Sequence, residues 1–350
     1  MASGRGPAYD RGVLADAVAI PTALAGLRRF ALDGALLLFD RDTGLNVLCD
    51  GPETAHLQQA APRVVQFGIT NRCNLACSFC SRDLAAESTW TAEDAFEVLR
   101  GLAARGVLEV AFGGGEPWLF PRFDALLERL HEETPLAASV TTNGLALGPK
   151  RLRRLRGRYG QLRLSLYDDN GWRERVAWLA DEGARFGVNL LVDPASLPTL
   201  EDTVIDVVAA GGRDVLLLGY NGHDPARHLP LAAMPELARR VATLARALEG
   251  RAVVKLDVCW GSRLAGVPRL LPREDCGAGR DFVVITSDRQ VMPCSFHTTA
   301  LPFRDADEVL SLWSRARERL AAASPIPGCA RTPGFGLAPA SNDLVTLRRP

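Results

Sequence analysis

Lysine is almost missing from this chain of 350 residues: Lys150 and Lys255 are the only two, and arginine supplies every other cationic side chain. That bias reads as high-GC coding in a bacterium and carries no mechanism. Net charge is missing as well, because 41 basic side chains meet 41 acidic ones. A chain whose main partner is nucleic acid or an anionic membrane carries a basic excess, so the balance argues against both. No apolar run approaches the length of a membrane span, and the longest are short stretches such as 215–219. Residues 1–10 are polar and lack an apolar segment ahead of a small-residue cleavage site. Internal repeats and low-complexity tracts are absent too. A soluble, cytoplasmic protein is therefore the expectation. What remains is 47% hydrophobic and 23% charged, an ordinary globular composition with length for one large domain and an appendage.

Eight cysteines stand out against this background. In a reducing compartment metal ligation or catalysis is a better default for them than disulfides. The chain around them alternates strand and helix signals. Apolar, β-rich runs fall at 64–69, 107–112, 138–141, 162–166, 188–192 and 215–219. Amphipathic stretches lie between, beginning at 91–105, where Thr91 can cap a helix, Phe96, Leu99 and Ala103 share a face, and Gly106 stops it. Strands alternating with helices predict a parallel sheet of right-handed βαβ units. Six units are too few to close an eight-stranded barrel, so the expected fold is α/β, an open, partial (β/α)6 TIM-type barrel.

Two flanks complete the layout. Residues 1–60 are expected to form a small helix–hairpin unit: a helix over 16–32, interrupted at Pro21, then strands 36–39 and 45–48 joined through 40–44. The barrel core would occupy 61–232. Residues 233–350 read as a cysteine-rich α+β extension, with a helix over 235–248, short strands at 253–258 and 282–286, and a last helix over 307–322.

Cys73, Cys77 and Cys80 follow directly on the first barrel strand. Three thiolates in so short a loop can converge on a cubane cluster, leaving a fourth iron without a protein ligand, and an open metal site is where a substrate or cosubstrate binds. A structural zinc site is the bland alternative, but it wants a second Cys or His pair close by, and none lies near in sequence.

The spacing Cys-x3-Cys-x2-Cys after a first strand resembles the radical S-adenosylmethionine (SAM) superfamily, and the resemblance runs over about residues 64–222. Gly113-Gly114-Gly115-Glu116-Pro117, at the end of the next strand, matches the family's glycine-rich motif for the SAM amino group. Glycines let a ligand approach the backbone, and Glu116 offers an acceptor for an ammonium group. Thr142, in Thr141-Thr142-Asn143-Gly144, and Ser165, in Ser165-Leu166-Tyr167-Asp168, sit where the family holds the SAM carboxylate and ribose. Phe79 resembles the residue whose backbone contacts adenine. The resemblance implies a [4Fe-4S] cluster on the three cysteines with SAM at its open iron. Reductive cleavage of SAM would yield a 5′-deoxyadenosyl radical that removes a substrate hydrogen atom, with an external electron donor of the flavodoxin or ferredoxin type.

Cys259, Cys276, Cys294 and Cys329 lie beyond the barrel, and four thiolates are the full complement of a closed [4Fe-4S] cluster. The stretch from Cys276 to Cys294 resembles the auxiliary-cluster extension called SPASM, or its shorter relative, twitch. The family pattern has glycine five residues before the second of these cysteines. Here that position is Arg289, preceded by Asp288, which leaves the turn type open. An ordinary buried thiol is the alternative for Cys259 and Cys329, and Cys49 is read as a core residue.

Such extensions imply oxidative modification or cross-linking of a ribosomally made peptide. Recognition would need a separate protein or the 36–48 hairpin as an edge for strand addition. A second reading is a dehydrogenase, decarboxylase or dehydratase acting on a small sugar, aminocyclitol or nucleoside. Tyr167, Asp168, Asp169, Tyr220, Asn221, His223, Trp260 and His297 would then line its pocket, with Tyr167 and His297 as candidate catalytic groups and His297 as a proton acceptor. A third, non-enzymatic reading, an electron-transfer protein, has the SAM-amine motif against it.

Overall fold

The computed structural model describes residues 18–264, 275–323, 329 and 331. Six strands form the expected series: β4 (Val64–Thr70), β5 (Glu109–Gly114), β6 (Ala137–Thr142), β7 (Leu162–Ser165), β8 (Phe186–Val192) and β9 (Asp214–Gly219). All pair in parallel with their sequence neighbours. Five helices pack on the outside: α1 (Ala92–Ala104), α2 (Phe123–Glu133), α3 (Pro149–Arg154), α4 (Trp172–Asp181) and α5 (Leu200–Ala209). The α1 boundaries follow from local chemistry. Thr91 Oγ1 accepts the Asp94 amide at 3.1 Å, and Gly106 takes φ +100° just past the end.

Alternation along each strand decides which side chains meet the helices. Val65, Phe67 and Ile69 of β4 and Val110 and Phe112 of β5 are buried in the main core. There Phe67 meets Trp90 edge-on at 4.9 Å, and Phe112 meets Phe123 of α2 at 5.1 Å. Each such ring contributes about 1.5–3 kcal/mol by burial. The intervening residues, among them Gly68, Glu109, Gly113, Ser139 and Arg163, face the concave side.

Two parallel strands beyond the expected six extend the barrel. β10 (Val253–Leu256) pairs with β9, and β11 (Phe282–Ile285) pairs with β4 on the opposite flank. β12 (Gln290–Met292) and β13 (Leu301–Pro302) continue antiparallel from β11, giving the order β10-β9-β8-β7-β6-β5-β4-β11-β12-β13. The sequence reading assigned both 253–258 and 282–286 to an appendage. They are short and lack the βαβ rhythm between them, yet they cover the edges of the barrel sheet. α6 (Met234–Ala247) sits as expected, whereas the expected last helix is broken at Ala316 into α7 (Ala306–Arg315) and α8 (Arg317–Ala321).

The helix expected over 16–32 is corrected. From Val18 onward there is only a 3-10 turn at Thr22–Leu24, followed by strand β1 (Arg28–Leu32), and residues 16 and 17 lie outside the described residues. Pro21 and Gly26 break the helical pattern, and Phe30 and Leu32 bury on alternate positions, a strand's period. β1 pairs antiparallel with β2 (Ala35–Phe39), which pairs with β3 (Asn46–Asp50). Phe30, Leu32, Leu37 and Phe39 of this sheet pack on Leu108 and Ala137, beneath the N-terminal ends of β5 and β6. No helix among the described residues is long and apolar enough to cross a membrane.

Candidate active site

The site is built at the other end, where β4, β5, β6 and β7 finish. Leaving β4, the chain runs through residues 71–91 to α1, carrying Cys73, Cys77 and Cys80. Asn71 joins the two ends of this excursion: its amide donates to Ser88 Oγ at 3.0 Å and its Nδ2 to the Ala86 carbonyl at 3.3 Å. The glycine motif then presses on its start. The Gly115 amide donates to Thr70 O at 2.6 Å, and the Glu116 amide donates to Arg72 O at 2.8 Å. A Cβ on Gly114 would stand 2.4 Å from Thr70 O, and one on Gly115 would stand 2.1 Å from Arg72 O. Gly114 is thus demanded by the backbone at the end of β4, and Gly115 by the backbone that opens the cysteine loop. Gly113 has nothing within 4 Å of a built Cβ and leaves room for a ligand.

The sulfurs already receive N–H groups. Leu75 N points at Cys73 Sγ and Arg82 N at Cys80 Sγ, each at 3.4 Å, and Asn143 Nδ2 lies 3.9 Å from Cys73 Sγ. Such donors stabilise thiolates in iron–sulfur sites. Burial pushes the Cys77 thiol up, and the neighbouring Cys80, Asp169 and Cys73 add to it. Crowded sulfurs of this kind suit a cationic iron centre. Among the described residues no three His, Cys, Asp or Glu side chains converge as ligands of one ion. That is compatible with a cubane, whose iron atoms stand between its thiolates.

One cleft gathers most of the residues singled out from the sequence: Cys73, Leu75, Cys77, Phe79, Cys80, Gly113, Gly114, Gly115, Glu116, Thr141, Thr142, Asn143, Ser165 and Tyr167. Glu116 is buried, and its carboxylate braces the site. Oε1 accepts from Thr142 Oγ1 at 2.9 Å and from Trp118 N at 3.3 Å, while Oε2 accepts from Asn143 N at 2.8 Å. Burial nevertheless pushes its carboxyl pKa up, against those hydrogen bonds. Thr142 Oγ1 also accepts the Gly144 amide at 2.8 Å, so its hydroxyl organises the strand end. Pro117 is buried at the start of the 3-10 turn Pro117–Leu119, and Glu116 caps that turn. Tyr167, in ring contact with Phe79 at 5.6 Å, is a neutral phenol: burial pushes it up to about 12, and Ser165 hydrogen-bonds its side chain.

Asparagines at the strand ends went unassigned in the sequence reading. Asn143 Nδ2 donates to Asn74 Oδ1 at 2.8 Å, and Asn170 Nδ2 donates to the Asn143 and Ser165 carbonyls at 2.9 and 2.8 Å. Together they stitch the ends of β6 and β7 to the cysteine loop. Asn143 was visible inside the Thr-Thr-Asn-Gly motif. Asn170 carried no local signal, because its partners are backbone carbonyls.

The C-terminal cysteines form a second group. Cys259 lies in the 3-10 segment after β10, Cys276 precedes β11, and Cys294 follows β12. Burial raises Cys259, Cys276 and Cys294, and each responds to the charge of others in the set, Cys329 included. Arg331 secures the Cys329 end, donating to Asp275 Oδ2 at 3.0 and 3.2 Å and to Leu320 O at 3.2 Å. Cys49 is half-buried on β3.

His297, expected as a candidate catalytic group, has backbone at both ring nitrogens. Its Nδ1 accepts the Thr299 amide at 2.8 Å and its Nε2 faces the Ala322 carbonyl at 3.3 Å. Burial lowers its pKa, and it does not line the cysteine cleft. Trp260 is buried and donates to the Leu217 carbonyl at 2.9 Å, and Asn221 donates to Gly219 O at 2.9 Å. Tyr220 stacks edge-on with His228 at 4.9 Å; it, Asp168, Asp169 and His223 lie outside the cleft lining.

Comparison with known proteins agrees with this geometry. The Radical SAM superfamily profile matches residues 67–169, the span from β4 through the residues after β7. Over that segment the chain is similar to the radical SAM superfamily. A PqqA peptide cyclase of Ruegeria pomeroyi is 28% identical over 271 residues, covering 70% of each chain. A GTP 3′,8-cyclase of Synechococcus is 32% identical over 215 residues, which span 57% of this chain and 56% of the cyclase. Among solved structures, Streptococcus suis SuiB bound to S-adenosylmethionine superposes with a TM-score of 0.64 at 16% identity, over 81% of this chain and 86% of SuiB. SuiB bound to its precursor peptide SuiA gives 0.64 at 15% identity, over 82% and 88%. At such identities these structures speak for the fold.

Proposed function

We propose that this radical SAM enzyme oxidatively modifies or cross-links a ribosomally made peptide, and that it carries a second, auxiliary [4Fe-4S] cluster. The observation that carries the peptide reading is the reach of the match to PqqA peptide cyclase, 70% of both chains, well beyond the SAM-binding segment. The SuiB structure with its precursor peptide supports it at the level of fold. Cys73, Cys77 and Cys80 would hold the first cluster, and Gly113, Glu116, Thr142, Ser165, Phe79 and Tyr167 would surround SAM.

A bound cluster with SAM supplies reductive cleavage to a 5′-deoxyadenosyl radical, fed by an external donor of the flavodoxin or ferredoxin type. The chain's own residues orient the cofactor. N–H groups face two sulfurs, the buried Glu116 carboxylate fixes the ends of β5 and β6, and the Phe79–Tyr167 ring contact would flank the bound SAM. Cys259, Cys276, Cys294 and Cys329 would hold the auxiliary cluster. Peptide capture would fall to the N-terminal sheet or to a separate recognition protein. The sheet packs beneath the strands, opposite the cysteine cleft, so a peptide held on it must reach around the barrel.

A second reading, a small-molecule enzyme acting on a nucleoside, sugar or aminocyclitol, is favoured by the 32% identity to GTP 3′,8-cyclase. The two separate on one assay. The reconstituted, reduced enzyme is offered peptide and small-molecule fractions of a host extract, and 5′-deoxyadenosine is measured. Stimulation by the peptide fraction alone is the expected result. Stimulation by the small-molecule fraction alone overturns the peptide reading.

A further inference from the structure

The mouth of the barrel is tied across its opening by one guanidinium. Arg227 ends the 3-10 turn Pro225–Arg227 in the connection that leaves β9. Its Nη1 donates to Asp193 Oδ2 at 3.1 Å, and its Nη2 donates to Ser78 Oγ at 2.8 Å. Its Nε stands 3.7 Å from Asp224 Oδ2, and its central carbon lies 5.5 Å from the Phe79 ring centre.

The two anchors differ in kind. Asp193, just past β8, is a fixed post: it is buried, and its Oδ1 accepts the Ala195 and Ser196 amides at 3.0 and 2.9 Å. Ser78 is the part being held, placed between Cys77 and Phe79 in the cysteine loop. In the sheet order β8 and β9 lie four and five strands from β4, which launches that loop. The contact therefore closes the mouth across the opening, where no strand pairing among the described residues holds it.

We infer that Arg227 is a positioning residue for the three-cysteine site. It holds the Cys77–Cys80 limb in place and seats Phe79 against Tyr167, so that cluster and SAM are enclosed together. The inference rests on reading this loop as the cluster and SAM site. A guanidinium suits the task because its planar fork serves a carboxylate and a hydroxyl while its face meets a ring, and an ammonium cannot do all three.

The test uses reconstituted protein with two readouts: SAM titration of the reduced cluster's EPR signal, and the rate at which a ferrous chelator strips iron. Arg227→Ala is expected to weaken SAM binding by about tenfold, the scale of a lost charge-assisted hydrogen bond, and to speed iron loss. Arg227→Lys recovers part of both. Ser78→Ala added to Arg227→Ala changes little further, because the two share one contact. Phe30→Leu, a mild core change beneath the barrel, leaves both readouts at the wild-type level. Wild-type behaviour in Arg227→Ala, or equal weakening in Phe30→Leu, overturns the positioning role. A wild-type EPR signal indifferent to SAM overturns the underlying site reading as well, and does so whatever stands at position 227.

Discussion

Arg289 occupies the hairpin position where the resembled pattern has glycine, and it takes the left-handed conformation that glycine would take, φ 62°. A non-glycine residue there costs on the order of 1–2 kcal/mol. The side chain offsets that cost: it donates to Asp94 Oδ2 at 2.6 Å and to Thr89 O at 3.2 Å, and lies over the Trp90 ring at 4.5 Å. It thereby clamps the β11–β12 turn to the start of α1. Thermal unfolding separates strain from clamp. Arg289→Ala keeps the strained φ and loses the contacts, so it should be the least stable of the three. Arg289→Gly loses the contacts but relieves the φ, and should stand about 1 kcal/mol above Arg289→Ala. Equal stability of the two variants sinks the account. The sequence made the departure from glycine legible but not its remedy, since Asp94 and Trp90 lie some two hundred residues away in the chain.

At the scale of the element, the glycine run between β5 and the turn after it does two jobs that its letters do not distinguish. Gly114 yields to the end of β4 and Gly115 to the backbone of the cysteine loop, whereas Gly113 faces open space. Gly115→Ala should push the loop off the end of β5, with iron retention and the SAM-induced EPR change both lost. Gly113→Ala should keep its iron and bind SAM more weakly, by about tenfold or more if the methyl meets the ligand. Matching losses in both variants would mean that the division between loop and ligand is wrong. The six core strands and their helices were legible because apolar periods of two and near four leave a plain record. β1 was not. Its alternation spans five residues beside a helix-like composition, and only packing on Leu108 and Ala137 decides it. The cysteine triplet and Glu116 were legible as motifs, whereas Arg227 and Asn170 act through contacts that form only once the barrel curves. What occupies the two ring nitrogens of His297 was hidden for the same reason, because it comes from its fold neighbours.

At the scale of the molecule, the barrel is opened toward the cysteines and closed at the opposite end. The closing layer combines the N-terminal sheet with a charged network on the concave side: Arg163 Nη1 to Asp214 Oδ1 at 2.7 Å, Arg163 Nε to Asn189 Oδ1 at 3.1 Å, and Lys255 Nζ to Asp214 Oδ2 at 2.6 Å. One carboxylate therefore binds together β7, β9 and β10, including the strand the sequence had left in the appendage. Burial alone would raise the Asp214 pKa, but Arg163 and Lys255 outweigh it and hold the carboxyl below its ordinary value. A carboxyl whose pKa is lower folded than unfolded contributes stability that is fully present above the unfolded value, about 3.9, and is lost as pH falls through the folded one. Asp214→Asn removes that contribution and leaves Arg163, whose side chain is only 11% exposed, without its counter-charge. The expected cost at neutral pH is about 3 kcal/mol, at the lower end for breaking a buried pair. Denaturant unfolding followed from pH 7 downward checks both parts. The gap between wild type and Asp214→Asn should be widest at neutral pH and narrow in the acid range below about 4, as the wild-type carboxylate takes up its proton. A gap that stays constant with pH would assign the loss to shape instead of charge, and Asp214 would then be a spacer in the barrel floor.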